Sequence, residues 1–297
     1  MAELKVLLGP MRLPFLLLAP CCVLLGIGTA VWTTGQVSAF RIVLILIGAV
    51  AAHISVNALN EYFDFTSGLD FRTKRMAFSG GSGTLPAHAH AARSALITGL
   101  TALAITAFIG IYFLTVVGIG LLPLGVLGLF LILSYTRWLT GNPWLSLIAP
   151  GLGFGLFMVM GTDFVLTGAY SWTAFIASLV PFFLVSDLLL LNQFPDIEAD
   201  KTVGRKHFPI FAGAKISSVI YGAFLLLAYV AIVLGIGLKY LPISSVLGVI
   251  TIGVAIPAFI GAYRYGNNAE KLAPFMTMNV LINLITPVLV AAGLLLG

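Results

Sequence analysis

Apolar residues run along this chain in long blocks separated by short polar stretches. Nine blocks approach or exceed the roughly 20 residues a helix needs to cross a bilayer: residues 14–35, 39–62, 93–117, 119–136, 143–167, 171–194, 214–237, 241–263 and 272–296. The fourth is the weakest, because Gly118, Gly120 and Pro123 crowd its start. The period-two alternation of a membrane barrel is absent, and an open sheet edge cannot satisfy its backbone in lipid. The pattern therefore predicts an all-α, polytopic membrane protein of nine transmembrane helices, one domain over residues 1–297. Within the second block, His53, Asn57, Asn60 and Asp64 follow one another at i, i+4, i+7 and i+11. That spacing draws one polar stripe from mid-helix to the helix end, and such a stripe faces the protein interior or a wet cavity.

The polar residues at two block ends repeat. Asn60-Glu61-Tyr62-Phe63-Asp64 leads to Asp70, and Asn192-Gln193-Phe194-Pro195-Asp196 leads to Asp200. Aligning Asn60 with Asn192 also aligns Asp64 with Asp196, and Asp70 with Asp200 once two extra residues are allowed in the first copy. Each copy runs into a basic pair, Lys74-Arg75 and Arg205-Lys206, so one motif spans residues 60–75 and the other 192–206. Six of the ten acids fall in these segments. Residues four apart share a helical face, which lines up Asn60 with Asp64, and Asn192 with Asp196 and Asp200. Carboxylate and amide oxygens suit Mg²⁺, which takes one or two carboxylates and completes its shell with water and substrate phosphate. Asn60, Asp64, Asp70, Asn192, Asp196 and Asp200 are thus candidate metal ligands, with Asp64, Asp196 and Asp200 the catalytic core. The bland alternative is an acidic helix end paired with nearby bases, which explains one copy better than two. Glu61 lies off the stripe and is a weaker ligand candidate.

Composition agrees with a membrane protein: 60% of the residues are hydrophobic, 8% are charged, and mean hydropathy is +1.10. Charge then sets orientation. Under the nine-helix reading, 13 of the 15 Lys and Arg fall on one side and only Arg41 and Lys239 on the other. The positive-inside rule puts the amino terminus and both acidic motifs in the cytoplasm, with the plasma membrane as the compartment. The net charge of +5 reflects this topology and implies no nucleic-acid partner. Cys21 and Cys22 are adjacent inside the first block and read as small packing groups. The first block is long enough to be an anchor rather than a cleaved signal. Oligomeric state is left open.

Candidate substrate contacts follow from position. Arg12 enters the membrane on the side of the motifs, as an interfacial charge or a diphosphate contact. Arg72, Lys74, Arg75, Lys201, Arg205 and Lys206 divide between diphosphate contacts and topology signals, with Arg72, Arg75 and Lys206 the first choices. Tyr135 and Arg137 lie on the same side, as interfacial groups or as part of a phosphate site. Asn57 and His53 lie on the stripe, and His53 reads equally as a hydrogen-bonded core residue. Asp187, inside the sixth block, belongs to a structural pair with His53 or Asn57, or to a substrate contact. The segment Ser79-Gly80-Gly81-Ser82-Gly83-Thr84-Leu85-Pro86 lacks a P-loop lysine and reads as a lid rather than an anion cradle. Gly151-Leu152-Gly153-Phe154-Gly155 reads as close helix packing.

With nine spans, two Asn/Asp motifs at helix ends and basic loops beside them, the chain resembles the UbiA superfamily of intramembrane prenyltransferases. Within it, Asn60 to Asp64 followed by Gly68, Asp70 and Gly81-Ser82-Gly83, and Asn192 to Asp200 followed by Gly204-Arg205-Lys206, are similar to the 1,4-dihydroxy-2-naphthoate polyprenyltransferase branch. Glu61 stands where that branch commonly has Asp. The resemblance implies a helical bundle around a central cavity, with two motif-bearing halves holding an isoprenyl diphosphate with Mg²⁺ between the motifs. It also implies transfer of the prenyl group to an aromatic acceptor, with loss of the ring carboxylate, in menaquinone biosynthesis. Other acceptors of the superfamily, 4-hydroxybenzoate, homogentisate, a porphyrin or a glycerol lipid, are the alternative. A secondary transporter is the rival from another class, disfavoured because its site belongs near the midplane.

Overall fold

The computed structural model describes residues 2–76 and 78–297, leaving Met1 and Ala77 outside. Eight helices are long and apolar enough to cross a membrane: α1 Leu13–Thr34, α2 Ala39–Thr66, α3 Ala89–Val117, α5 Pro143–Thr167, α6 Trp172–Asn192, α7 Gly213–Gly237, α8 Ile243–Tyr265 and α9 Ala269–Leu296. A shorter apolar helix, α4 Ile119–Ser134, lies between α3 and α5. Its α-helical part has 13 residues, or about 20 Å, against a hydrocarbon core of roughly 30 Å. The cause is local, since Gly118 bends away at φ 92° and Pro123 sits in the first turn. Among the described residues, eight candidate spans and one shorter apolar helix come close to the expected nine spans, the weakest of the nine being the short one, and no strand occurs. This is an integral membrane protein.

The chain enters through a short helix, Ala2–Leu8, and two 3₁₀ turns, and continues into α1 from Leu18. Pro20 is tolerated there because the first-turn N–H groups of a helix have no intrahelical partner. The main core joins α1 and α5 to α9 around Leu184, Tyr221, Ile232, Leu272 and Met276, all essentially inaccessible. A smaller core ties α1 to α2, α3 and α5 through Val23, Ile45, Phe113 and Phe164. Burial is uneven: 67% of the apolar window of α6 lies inside the protein, but only 11% of that of α3. The α3–α4 side is therefore a thin wall.

Glycines bring some helices close. A Cβ on Gly99 of α3 would stand 2.8 Å from Leu59 of α2, and Ser55 on α2 donates to the Gly99 carbonyl at 2.8 Å. In α5, Cβ atoms on Gly151 and Gly155 would fall 2.2 and 2.4 Å from the Phe182 backbone of α6. These two are packing glycines, as read from the sequence. Gly153 between them is not, and the run forms a π-helical turn, Leu152–Phe157, of the kind that recurs at functional sites.

Candidate active site

One cavity of about 630 Å³ runs between the helices. Its polar end collects Asn57, Asn60 and Asp64 from α2, Tyr135 just after α4, Asn192 from α6, and Asp70, Asp196, Asp200, Arg205 and His207 from the connections. The rest of the wall is mostly apolar, including Phe113, Leu129, Phe154, Phe157 and Met158. The two motifs, residues 60–75 and 192–206, thus open into the same space.

The first motif is set by the end of α2. Asp64 sits in its last turn, Gly68 takes the left-handed conformation at φ 77°, and the chain folds back into a 3₁₀ turn, Leu69–Phe71, that returns Asp70 to the cavity. Only a residue without a Cβ takes that conformation freely. The second motif is broken by Pro195. α6 stops at Asn192, and a separate short helix, Ile197–Lys201, follows. Asn192, Asp196 and Asp200 therefore do not share one continuous helical face, as the spacing alone suggested, because Pro195 ends the α6 ladder. Asp196 and Asp200 keep their i, i+4 relation, the Asp200 N–H donating to the Asp196 carbonyl at 2.9 Å.

Arg205 ties the motifs together. Its Nη1 donates to Asp200 Oδ1 at 2.9 Å and its Nη2 to Asp64 Oδ1, while His207 Nε2 holds Asp200 Oδ2 at 2.8 Å. Burial works against the guanidinium charge, but the Asp64 and Asp200 carboxylates outweigh it and raise the Arg205 pKa. Arg205 is a fixed cation.

Three side-chain oxygens at this end have no hydrogen-bond partner and are shielded from solvent: Asp70 Oδ2, Asn192 Oδ1 and Asp196 Oδ1. An orphaned buried polar atom costs about 1–3 kcal/mol. Burial, with the charges of Asp64 and Glu61, pushes Asp70 up to about 7. Burial and the Asp200 charge push Asp196 up to about 7 as well, with the Gly80 N–H and Arg205 pulling the other way. Hard, buried oxygens without partners are the donor set a divalent cation takes. Among the described residues no three His, Cys, Asp or Glu are grouped to hold a metal ion by themselves. An ion here takes part of its shell from amide oxygens, water or a bound substrate.

Glu61 is not a peripheral acid. It is fully buried, and Arg12 Nε reaches its Oε1 at 2.7 Å while Arg12 Nη2 reaches Asn60 Oδ1 at 3.1 Å. The Ser82 backbone N–H and hydroxyl also donate to its two oxygens, both at 2.7 Å. Glu61 thereby clasps the amino terminus and the glycine segment over the first motif. Gly80 and Gly81 line the cavity with positive φ, and a Cβ on Gly81 would stand 3.2 Å from Asp70 Oδ1. The segment lies against acids, so a lid describes it better than an anion cradle.

The remaining candidates separate. Asn57 donates to the Met11 carbonyl at 3.0 Å, and Asn60 donates to Thr136 at 3.2 Å. His53 packs edge-on against Phe154, at 4.6 Å between centroids. Asp187 is fully buried, does not line the cavity, and both its carboxylate oxygens lack partners. The pair expected with His53 or Asn57 is not made: His53 packs on Phe154 of α5 and Asn57 donates to the Met11 carbonyl. Of the six motif bases only Arg205 lines the main cavity. Arg72 and Lys206 are exposed, Lys74 pairs with Glu270 and Lys201 with Glu198 at the surface, and Arg137 lies over the Phe63 ring at 5.4 Å. Arg75 joins Lys5 and Arg12 around a second, smaller cavity. Long basic side chains keep their heads in water when no buried anion claims them, which corrects the first choices among these bases. His207 and Asn283 went unnoticed in the sequence, although His207 directly follows the Arg205-Lys206 pair.

The UbiA prenyltransferase family model matches residues 18–281. A 1,4-dihydroxy-2-naphthoate octaprenyltransferase from Bacillus subtilis (strain 168) is 27% identical over 217 residues, 71% of this chain and 67% of the relative. The structure of a UbiA homolog from Aeropyrum pernix K1 superposes with a TM-score of 0.72 at 18% identity, covering 95% of this chain and 98% of that one. A UbiA homolog from Archaeoglobus fulgidus bound to DMAPP and Mg²⁺ gives 0.65 at 16% identity, covering 96% and 99%. Matched over most of its length and sharing the fold, this chain belongs to the UbiA prenyltransferase family and is a prenyltransferase.

Proposed function

We propose that the protein transfers an isoprenyl group from a polyprenyl diphosphate to 1,4-dihydroxy-2-naphthoate, in a Mg²⁺-dependent reaction at the cytoplasmic face of the plasma membrane. The observation that carries this reading is one cavity with unpartnered oxygens and a fixed arginine at one end and an apolar lumen beyond. A diphosphate with a hydrocarbon tail has the same division. The naphthoate acceptor is supported by the Bacillus relative, and the orientation by the distribution of Lys and Arg.

In this reading Asp64, Asp70, Asn192, Asp196 and Asp200 hold Mg²⁺ by their oxygens. The chemistry Mg²⁺ supplies when bound is neutralisation of the charge that grows on the departing diphosphate. Arg205 turns its donors from Asp64 and Asp200 toward diphosphate oxygens, a charge-assisted contact of about twice the strength of a neutral one. Arg12, fixed by Glu61, presents a second cation at the mouth. The segment Ser79–Gly81 closes over the head group and keeps water from the allylic carbon, and aromatic faces such as Phe154 and Phe157 shelter its developing positive charge.

Purified protein is incubated with labelled polyprenyl diphosphate and, separately, 1,4-dihydroxy-2-naphthoate, 4-hydroxybenzoate, homogentisate, a porphyrin and a glycerol lipid, with Mg²⁺ or EDTA. Prenylated naphthoate formed only with Mg²⁺ is expected; product from another acceptor alone, or full turnover in EDTA, sinks the corresponding part. For orientation, single cysteines at Ser82 and Gly297, in a background with Cys21→Ala and Cys22→Ala, should label from opposite sides of sealed vesicles.

A further inference from the structure

Glycine inside a helix costs about 0.5–1 kcal/mol relative to alanine, so a membrane helix that keeps one normally uses it for close packing. Six glycines here do not. Gly110 of α3, Gly125 and Gly128 of α4, Gly153 and Gly161 of α5, and Gly253 of α8 lie inside membrane helices, yet a Cβ on any of them would meet nothing within 4 Å. Gly26, Gly99, Gly151 and Gly155, by contrast, abut a neighbouring element under 3 Å away. Five of the six open glycines, all but Gly253, line the one large cavity. They come from three successive helices, α3, α4 and α5.

A second observation says that this space is made for an occupant. His53 is 5% exposed and Asn283 1% exposed, both line the same cavity, and His53 Nδ1 and Asn283 Oδ1 have no partner. A wall shaped only for packing would have closed on these atoms.

We propose that Gly110, Gly125, Gly128, Gly153 and Gly161 set the bore of the isoprenoid compartment and thereby the length of isoprenyl diphosphate the enzyme accepts. The inference rests on the prenyl-transfer reading above. Each missing Cβ keeps open a place on the wall where a larger side chain has room to stand and would project into the path of the tail. A substitution there fills the lumen without straining the helix, which separates it from a substitution at a packing glycine.

The test uses Gly125→Leu and Gly128→Leu, with Gly253→Leu as the control outside the cavity. Two quantities are compared with wild type in Mg²⁺. One is the ratio of kcat/KM for farnesyl over dimethylallyl diphosphate, with 1,4-dihydroxy-2-naphthoate as acceptor. The other is the thermal stabilisation each diphosphate gives without acceptor. The cavity variants should lose the farnesyl preference by at least about tenfold, the low end of what one added group in an apolar pocket achieves. They should also lose farnesyl stabilisation while keeping that of dimethylallyl diphosphate, and Gly253→Leu should match wild type. Should the leucine variants fail to fold, Gly125→Ala and Gly128→Ala decide, with a smaller shift of the same sign expected. Folded cavity variants with unchanged ratios, or an equal shift in Gly253→Leu, overturn the proposal and leave the prenyl-transfer reading standing. A wild-type protein that neither transfers nor is stabilised by any allylic diphosphate overturns both.

Discussion

The acidic arm at the end of α2 is held from outside, by Arg12 from the amino terminus and Ser82 from the glycine segment, both through Glu61. The arm after α6 is held from within, by Arg205 and His207, which follow Asp200 by five and seven residues. The protein itself thus answers Glu61 in the first arm and Asp200 in the second, and Arg205 of the second arm also answers Asp64 of the first. Each arm also carries oxygens the protein leaves unanswered, Asp70 Oδ2 in the first, Asn192 Oδ1 and Asp196 Oδ1 in the second. The repeat in sequence is therefore a repeat of polar side chains on unlike scaffolds. An acid that is clasped and an acid that is orphaned should respond differently to removal.

The largest difference is expected at the orphaned acids. Asp70→Ala and Asp196→Ala should lower kcat by about a hundredfold or more, the scale of losing one group that stabilises transition-state charge. Their melting temperatures should hold or rise, since each removes a buried oxygen with no partner. Near-wild-type turnover in either would assign the ligand role elsewhere.

Arg205→Gln should come next. It removes the cation between the arms and is expected to raise KM for the diphosphate at least about tenfold, as loss of a charge-assisted hydrogen bond does, with the acceptor KM little changed. Lys201→Gln is the matched surface change, and because its ion pair with Glu198 is solvent-exposed it should stay within about twofold of wild type. Equal effects at both positions would erase the distinction between the cavity base and the surface bases.

Glu61→Ala tests the external clasp. It leaves Arg12 and both Ser82 donors without their acceptor, so a loss of about 1–3 kcal/mol in stability is expected, together with faster proteolysis or hydrogen exchange across residues 79–83. The corresponding change in the second arm, His207→Ala, should leave that segment's protection untouched.

The smallest effect is the pH dependence. An exposed Asp titrates near 3.8, whereas Asp70 and Asp196 are pushed up to about 7 in the folded protein. Raised acids favour the fold while protonated, so metal-free stability should fall as pH climbs from about 4 to about 7 and then level off. Mg²⁺ needs the ionised oxygens, so the stabilisation it adds should grow over the same interval. Thermal melts in buffers spanning it, with and without Mg²⁺, read both slopes; parallel curves would contradict the assignment of these two acids.

The helices were legible because hydropathy is a long-range average, and Gly118 with Pro123 already marked the fourth block as the weakest. The acids that meet in the cavity were legible because they repeat: Asp64 and Asp196 occupy matching places in the two motifs. What escaped was set by contacts across the fold. Glu61 looked peripheral because its partner Arg12 is 49 positions away. Arg205 and Lys206 are neighbours in sequence, yet only Arg205 points inward, a difference settled by the turn after Asp200. The lumen glycines were hidden because Gly153 and Gly155 look alike until the backbone of α6 is seen beside one and empty space beside the other.

By lying between Asp64 and Asp200, Arg205 gives the clustered carboxylates a counter-ion from the chain itself. In proteins whose metal is the only answer to clustered carboxylates, stripping the ion melts the chain. Here the carboxylates that face each other across the two halves are already bridged by a side chain. Chelation should therefore act as an off switch and leave the scaffold intact, so that protein extracted and stored in EDTA regains its activity when the cation is returned.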